Sequence, residues 1–242
     1  MRQRYYNYIY NERQKVIFAY VPKVACSNWK CVMRYLEGHE NYLDTKYAHD
    51  RETSGLTYLD QVPEREEILQ DRRIKKFACI RDPYSRILSA YLNKIVERLP
   101  FSGPPETKDV FDLMVENIEQ FRTATLDPTE FPEITFEVFL RWLATRYSHY
   151  TDDEHWRTQS DLLSLPQAQF DFLGRFETLA TDAPAILDQI GCDIEFPSQK
   201  QIGFAPTGAQ QQLDKYYTVS CRELVQVIYS KDFKRFGYSL GA

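Results

Sequence analysis

The run Val21-Pro22-Lys23-Val24-Ala25-Cys26-Ser27-Asn28-Trp29-Lys30 joins a segment that reads as a buried strand to one that reads as a helix. At such a junction successive backbone N–H groups point at one spot, and the helix dipole adds roughly half a positive charge there. Lys23 at the start of the loop and Ser27 at its end can give a cation and a hydroxyl to the same anion. This is the logic of a phosphate cradle. Neither glycine of the G-x-x-x-x-G-K-[ST] loop is present, and no second-strand acid stands ready for magnesium. A phosphate-type ligand handled without a metal is one reading. An ordinary β-to-α turn with a surface lysine has the same spacing.

Strands and helices must position these residues. Lys15–Val21 is β-branched and aromatic, which predicts a buried strand that Pro22 stops. Ser27 or Asn28 caps a helix carrying Trp29, Val32, Met33 and Leu36 on one face, and Gly38 ends it. His39 to Gly55 reads as loop, and Pro63 with Glu64–Glu67 opens a short surface helix. Lys75–Ile80 predicts a second strand. Asp82-Pro83 then supplies an N-cap and a proline at the first helical position, with Ile87, Leu88, Tyr91 and Ile95 continuing the helix. The strand–loop–helix unit thus occurs twice, which predicts an α/β fold with a P-loop-like, mostly parallel central sheet flanked by helices.

Further along, Leu99–Pro105 reads as a loop, Asp109–Phe121 and Thr135–Tyr147 as helices, and Phe170–Phe176 as a third strand. Leu179–Ile190 is a helix closed by Gly191. Gln199–Gln212 is polar with Gly and Pro, a functional loop, and Val219–Phe236 is a last helix with Leu224, Val227, Ile228 and Phe233 inward. No linker interrupts the chain, so residues 1–242 are expected to form one domain.

Composition narrows the classes. The chain has 242 residues, 43% hydrophobic, with 15 Phe, 17 Tyr and 3 Trp, too aromatic for disorder. Its net charge of −5 excludes a generic basic nucleic-acid face, so any anion site must be local. No stretch approaches the ~20 apolar residues that span a bilayer, and the polar, tyrosine-rich start lacks a signal-peptide core. Five cysteines, Cys26, Cys31, Cys79, Cys192 and Cys221, have no paired spacing and read as reduced thiols. A cytoplasmic setting is the expectation. HExxH, CxxC and i, i+4 histidine pairs are missing, so no metal is expected.

Pro22–Lys30 after one strand, and Ile80-Arg81-Asp82-Pro83-Tyr84-Ser85-Arg86-Ile87-Leu88-Ser89-Ala90-Tyr91 after another, resemble the carbohydrate sulfotransferase family. The likeness is nearest the branch of the chondroitin and dermatan 4-O-sulfotransferases and the HNK-1 sulfotransferase, which is related to heparan sulfate 2-O-sulfotransferase. Glu154-His155-Trp156-Arg157, Phe170–Leu179 and Asp232–Tyr238 extend it, in order, from about residue 16 to 238. In that family the first run is the 5′-phosphosulfate loop and the second the 3′-phosphate motif.

The resemblance implies a sulfotransferase fold and transfer of a sulfuryl group from 3′-phosphoadenosine 5′-phosphosulfate (PAPS) to a hydroxyl of a carbohydrate. It implies that Lys23 meets the charge that grows on the leaving group, while Ala25, Cys26, Ser27, Asn28 and Trp29 hold the 5′ end. Arg81 and Ser89 would take the 3′-phosphate. His49 corresponds to a stretch that holds a catalytic histidine in the heparan sulfate relatives, with Asp50 or another acid orienting it. His155 is the rival base. Trp156 stacking on a sugar and Arg157 meeting an acidic group would bind the acceptor; equally, Trp156 is a core residue. The loop with Gly203, Phe204, Thr207 and Gly208 would close over the nucleotide. Two other readings stay open on sequence: a non-catalytic nucleotide or sulfoglycan-binding module, and a P-loop kinase using ATP.

Overall fold

A computed structural model describes residues 5–99, 108–166 and 169–240. Its elements in chain order begin with β1 (Tyr8–Asn11), β2 (Val16–Ala19), α1 (Cys26–Leu36), α2 (Thr45–His49) and β3 (Thr57–Tyr58). There follow α3 (Arg65–Gln70), β4 (Lys75–Ile80), α4 (Pro83–Lys94), α5 (Val110–Thr125), α6 (Phe136–Thr145) and α7 (Gln159–Leu162). The chain ends with β5 (Phe172–Arg175), α8 (Leu179–Gln189), α9 (Leu213–Tyr216), α10 (Val219–Ile228) and α11 (Ser230–Phe236). The loop expected from Leu99 to Pro105 lies, beyond Leu99, outside the described residues. Among those described, no helix is long and apolar enough to cross a membrane.

The sheet runs β3-β1-β2-β4-β5. The three predicted strands, β2, β4 and β5, pair in parallel, with Phe18 opposite Phe77 and Phe77 opposite Phe172. An antiparallel edge that sequence reading missed, β1 and β3, completes it. The residues divide into two compact units, 1–81 with 161–206 and 82–160 with 207–242. The boundaries fall after Arg81, inside α7 between Ser160 and Asp161, and after Pro206.

In the first unit the parallel strands bury an aromatic cluster under α1. Trp29 is fully buried, with its ring 4.9 Å from Phe77 and 4.7 Å from Phe196. Phe18 stacks on Phe77 at 4.9 Å. Such an indole anchors the helix that carries the candidate site. Trp29→Ala is expected to cost about 3–5 kcal/mol, read by urea unfolding.

In the second unit α4, α5, α6 and α10 enclose Ile87, Leu88, Ile118, Phe139, Trp142 and Val225. The Asp82-Pro83 start of α4 is as expected, since the Asp82 carboxylate accepts from the Ser85 N–H at 2.9 Å. Asp82→Ala is expected to lower stability by about 1 kcal/mol, measured in the same way. Asp109 and Thr135 cap α5 and α6. Tyr147 lies beyond the end of α6 and is exposed. The expected single last helix is instead two, because Tyr229 leaves helical geometry at φ −106°, ψ 20°. Val227, expected inward, is 74% exposed, because two residues beyond buried Val225 it falls on the opposite side of α10.

Candidate functional site

The junction after β2 bends through two left-handed residues, Lys23 at φ 70° and Ala25 at φ 51°. Ala25 is the N-cap of α1 and has no side chain to cap with. The expected caps are engaged elsewhere. Asn28 Nδ2 donates to the Pro197 carbonyl at 2.7 Å, and Ser27 Oγ lies 2.7 Å from His49 Nε2. The Trp29 N–H closes the first turn on the Ala25 carbonyl at 3.1 Å. The Trp29 amide is thus engaged within the helix and its indole lies in the core. The N–H groups of Cys26, Ser27 and Asn28 have no intrahelical acceptor at this open end. Lys23, Ala25, Cys26 and Ser27 are half-buried around it.

His49 arrives on α2, a helix where the sequence reads as loop. Asp44 caps it by accepting from the Lys46 N–H at 3.0 Å. Ala48 packs with Cys31 of α1 and with Ile202, and the Thr45 hydroxyl donates to the Ile202 carbonyl at 3.3 Å. The exposed His49 ring meets Phe204 edge-on, centroids 6.0 Å apart. Asp50 does not orient it. That carboxylate accepts from the Glu52 N–H and the Thr53 hydroxyl, at 3.0 and 2.6 Å, and those bonds lower its pKa. His49 Nε2 meets the hydroxyl of Ser27, 22 residues earlier in the chain.

Arg81 closes the site from β4. It is 5% exposed, its guanidinium lies 4.2 Å over the Phe176 ring, and Nη1 donates to the Lys23 carbonyl at 2.9 Å. A buried cation is thereby tied to the backbone of the strained loop, and the two strand ends, β2 and β4, meet in one hydrogen bond. Lys23, Ser27, His49 and Arg81 are brought together in the first unit.

Ser89 belongs to the second unit. It is 3% exposed and its hydroxyl lies 2.9 Å from that of Thr207. The 154–157 run is also in the second unit. Trp156 is 2% exposed, packs edge-on against Phe139 and Trp142, and donates from Nε1 to the Tyr150 carbonyl at 2.9 Å. Of its two readings, the core position is the one its burial matches. Arg157 forks onto Asp152 at 3.0 and 2.8 Å. His155 Nδ1 sits 2.7 Å from Asp153, and burial pulls its imidazole pKa below the usual value while Asp153 opposes that.

Residues that sequence reading passed over hold this segment in place. Buried Arg86 donates to the carbonyls of Arg157 and Glu154 at 2.8 and 3.1 Å, and the Tyr229 hydroxyl to that of Trp156 at 2.6 Å. Fully buried Asp232 accepts from the Gln159 and Ser160 N–H groups at 2.8 and 2.7 Å. The available signal was a charged residue inside an apolar helical face, as at Arg86 beside Ile87 and Leu88.

A lysine, a hydroxyl and a helix N-terminus meet at a strand-to-helix junction of an α/β protein, and an imidazole touches that hydroxyl. The profile of the sulfotransferase family matches residues 6–239, and the chain belongs to that family. It is 31% identical to carbohydrate sulfotransferase 14 of Danio rerio over 95% of this chain and 61% of that protein. Identity is 28% to carbohydrate sulfotransferase 11 of Mus musculus and 26% to carbohydrate sulfotransferase 10 of Homo sapiens, over 96% and 94% of this chain and 67% and 65% of theirs. The chain thus spans about 60% of the length of the first relatives it matches. No solved structure matches it.

Proposed function

We propose that this chain transfers a sulfuryl group from PAPS to a hydroxyl of a carbohydrate. The observation that carries the reading is the 2.7 Å contact of Ser27 Oγ with His49 Nε2 at the open end of α1. It supports the reading because it sets an imidazole against the hydroxyl at the N-terminus of α1. Names of the relatives support the carbohydrate acceptor.

In this reading the N–H groups of Cys26, Ser27 and Asn28 and the Ser27 hydroxyl hold the 5′-phosphate. Lys23 meets the bridging oxygen, where charge grows as the S–O bond to phosphate breaks. The acceptor oxygen forms the new S–O bond and its proton passes to His49. Adenosine 3′,5′-bisphosphate leaves with the electron pair. An in-line transfer of this kind depends mainly on positioning and charge. Arg81, by holding the Lys23 carbonyl, keeps the loop in its bent form, and we assign its guanidinium charge to the 3′-phosphate as well.

The test is incubation with sulfate-labelled PAPS and a glycan panel, scored for labelled glycan and released bisphosphate, beside thermal shifts with adenosine 3′,5′-bisphosphate and with ATP. Label transfer and stabilisation by the bisphosphate are expected. Stabilisation by the bisphosphate without transfer to any glycan would make it a binding module, and stabilisation by ATP alone would make it a kinase.

A further inference from the structure

We infer that Ser27 is a donor-operated mask on His49: its hydroxyl holds Nε2, and the arriving 5′-phosphate draws that hydroxyl away and hands Nε2 to the acceptor. The inference rests on the sulfotransferase reading. It starts from one geometric fact, the 2.7 Å contact, and from the count of hydrogens. A serine hydroxyl has one hydrogen and can aim it at one acceptor. At the second residue of α1, Ser27 already meets the His49 ring, and the proposed function brings a phosphate to the same helix end.

The contest has a predictable winner. A hydrogen bond to a charged phosphate oxygen is roughly twice as strong as one to a neutral acceptor such as imidazole. The orphan amides beside Ser27 bring the phosphate to the hydroxyl. The backbone that carries His49 is fixed through Ala48, Ile202 and Thr45, and the ring also rests edge-on against Phe204, so the ring keeps a contact when the hydroxyl leaves. The base thereby becomes available when the group it will serve is in place, and the acceptor binds productively after the donor.

The experiment is a 15N-edited imidazole spectrum of the full chain, with the His49 signal assigned by its loss in His49→Asn. Without nucleotide, Nε2 is expected to accept a hydrogen bond and Nδ1 to carry the hydrogen. Saturating adenosine 3′,5′-bisphosphate shifts that balance. Ser27→Ala already shows the shifted balance without nucleotide and moves little on adding it, whereas Ser27→Thr behaves as the unaltered chain. In kinetics the acceptor KM falls as PAPS rises, and this dependence is lost in Ser27→Ala. If the bisphosphate binds but leaves the His49 nitrogens unmoved, or if Ser27→Ala keeps the original free spectrum, the mask is wrong and the sulfotransferase reading stands. Absence of bisphosphate binding overturns both.

Discussion

Lys23→Ala is expected to reduce transfer by about 10³–10⁵-fold, the range that removal of a charge-stabilising cation causes in the analogous phosphoryl transfers. The loss should fall on kcat, because the charge that Lys23 meets develops only as the bond to sulfur breaks. Affinity for adenosine 3′,5′-bisphosphate should drop less, since the amides of Cys26, Ser27 and Asn28 remain. Lys23→Arg should recover only part of the rate, because a planar fork does not place its charge where an ammonium does. Single-turnover rates with labelled PAPS, alongside calorimetric binding of the bisphosphate, separate the two quantities. A Lys23→Ala chain that turns over at the original rate would remove the lysine from the chemistry.

His49→Ala should lower kcat by about 10²–10⁴-fold, the usual contribution of a positioned base. The sign of its pH dependence is fixed by the role. A base must be unprotonated to accept the acceptor proton, so the rate of the intact chain falls on the acid side as the imidazole takes up a proton. In His49→Ala the residual rate should lose that acid limb. His155→Ala is the control. With Nδ1 held by Asp153 and its ring against Phe111, His155 should leave the limb in place. Disappearance of the limb in His155→Ala, and not in His49→Ala, would transfer the role to the rival histidine.

Local signals in the sequence located much of the scaffold. Lys75–Ile80 is β4 to the residue, and the caps at Asp82, Asp109 and Thr135 start the helices they were expected to start. Such caps are one-residue chemical events that leave a mark on their own side chain. What stayed hidden is short or cooperative. β1 has four residues, all buried, so no alternation betrays it, and β3 has two. α2 has five residues, too few to show a helical period. The split at Tyr229 is a tertiary decision that the continuous apolar pattern of 219–236 conceals.

The site follows the same division. Lys23 and Ser27 were legible because loop, strand and helix adjoin in the chain. That Ser27 touches His49 and that Arg81 touches the Lys23 carbonyl are contacts across 22 and 58 residues, and no local spacing encodes them. Trp156 had two readings of equal standing until Phe139 and Trp142 were placed on its ring.

The left-handed turn at Lys23 bears on any attempt to harden this protein against heat. Such a backbone costs an ordinary residue about 1–2 kcal/mol, more than the roughly 0.5–1 kcal/mol of chain entropy that glycine forfeits on folding. A screen that rewards melting temperature alone would therefore favour glycine at this position and discard the ammonium with the strain. Endurance and turnover pull residue 23 in opposite directions, whereas at Ala25, with the same backbone hand and no charge to lose, they do not.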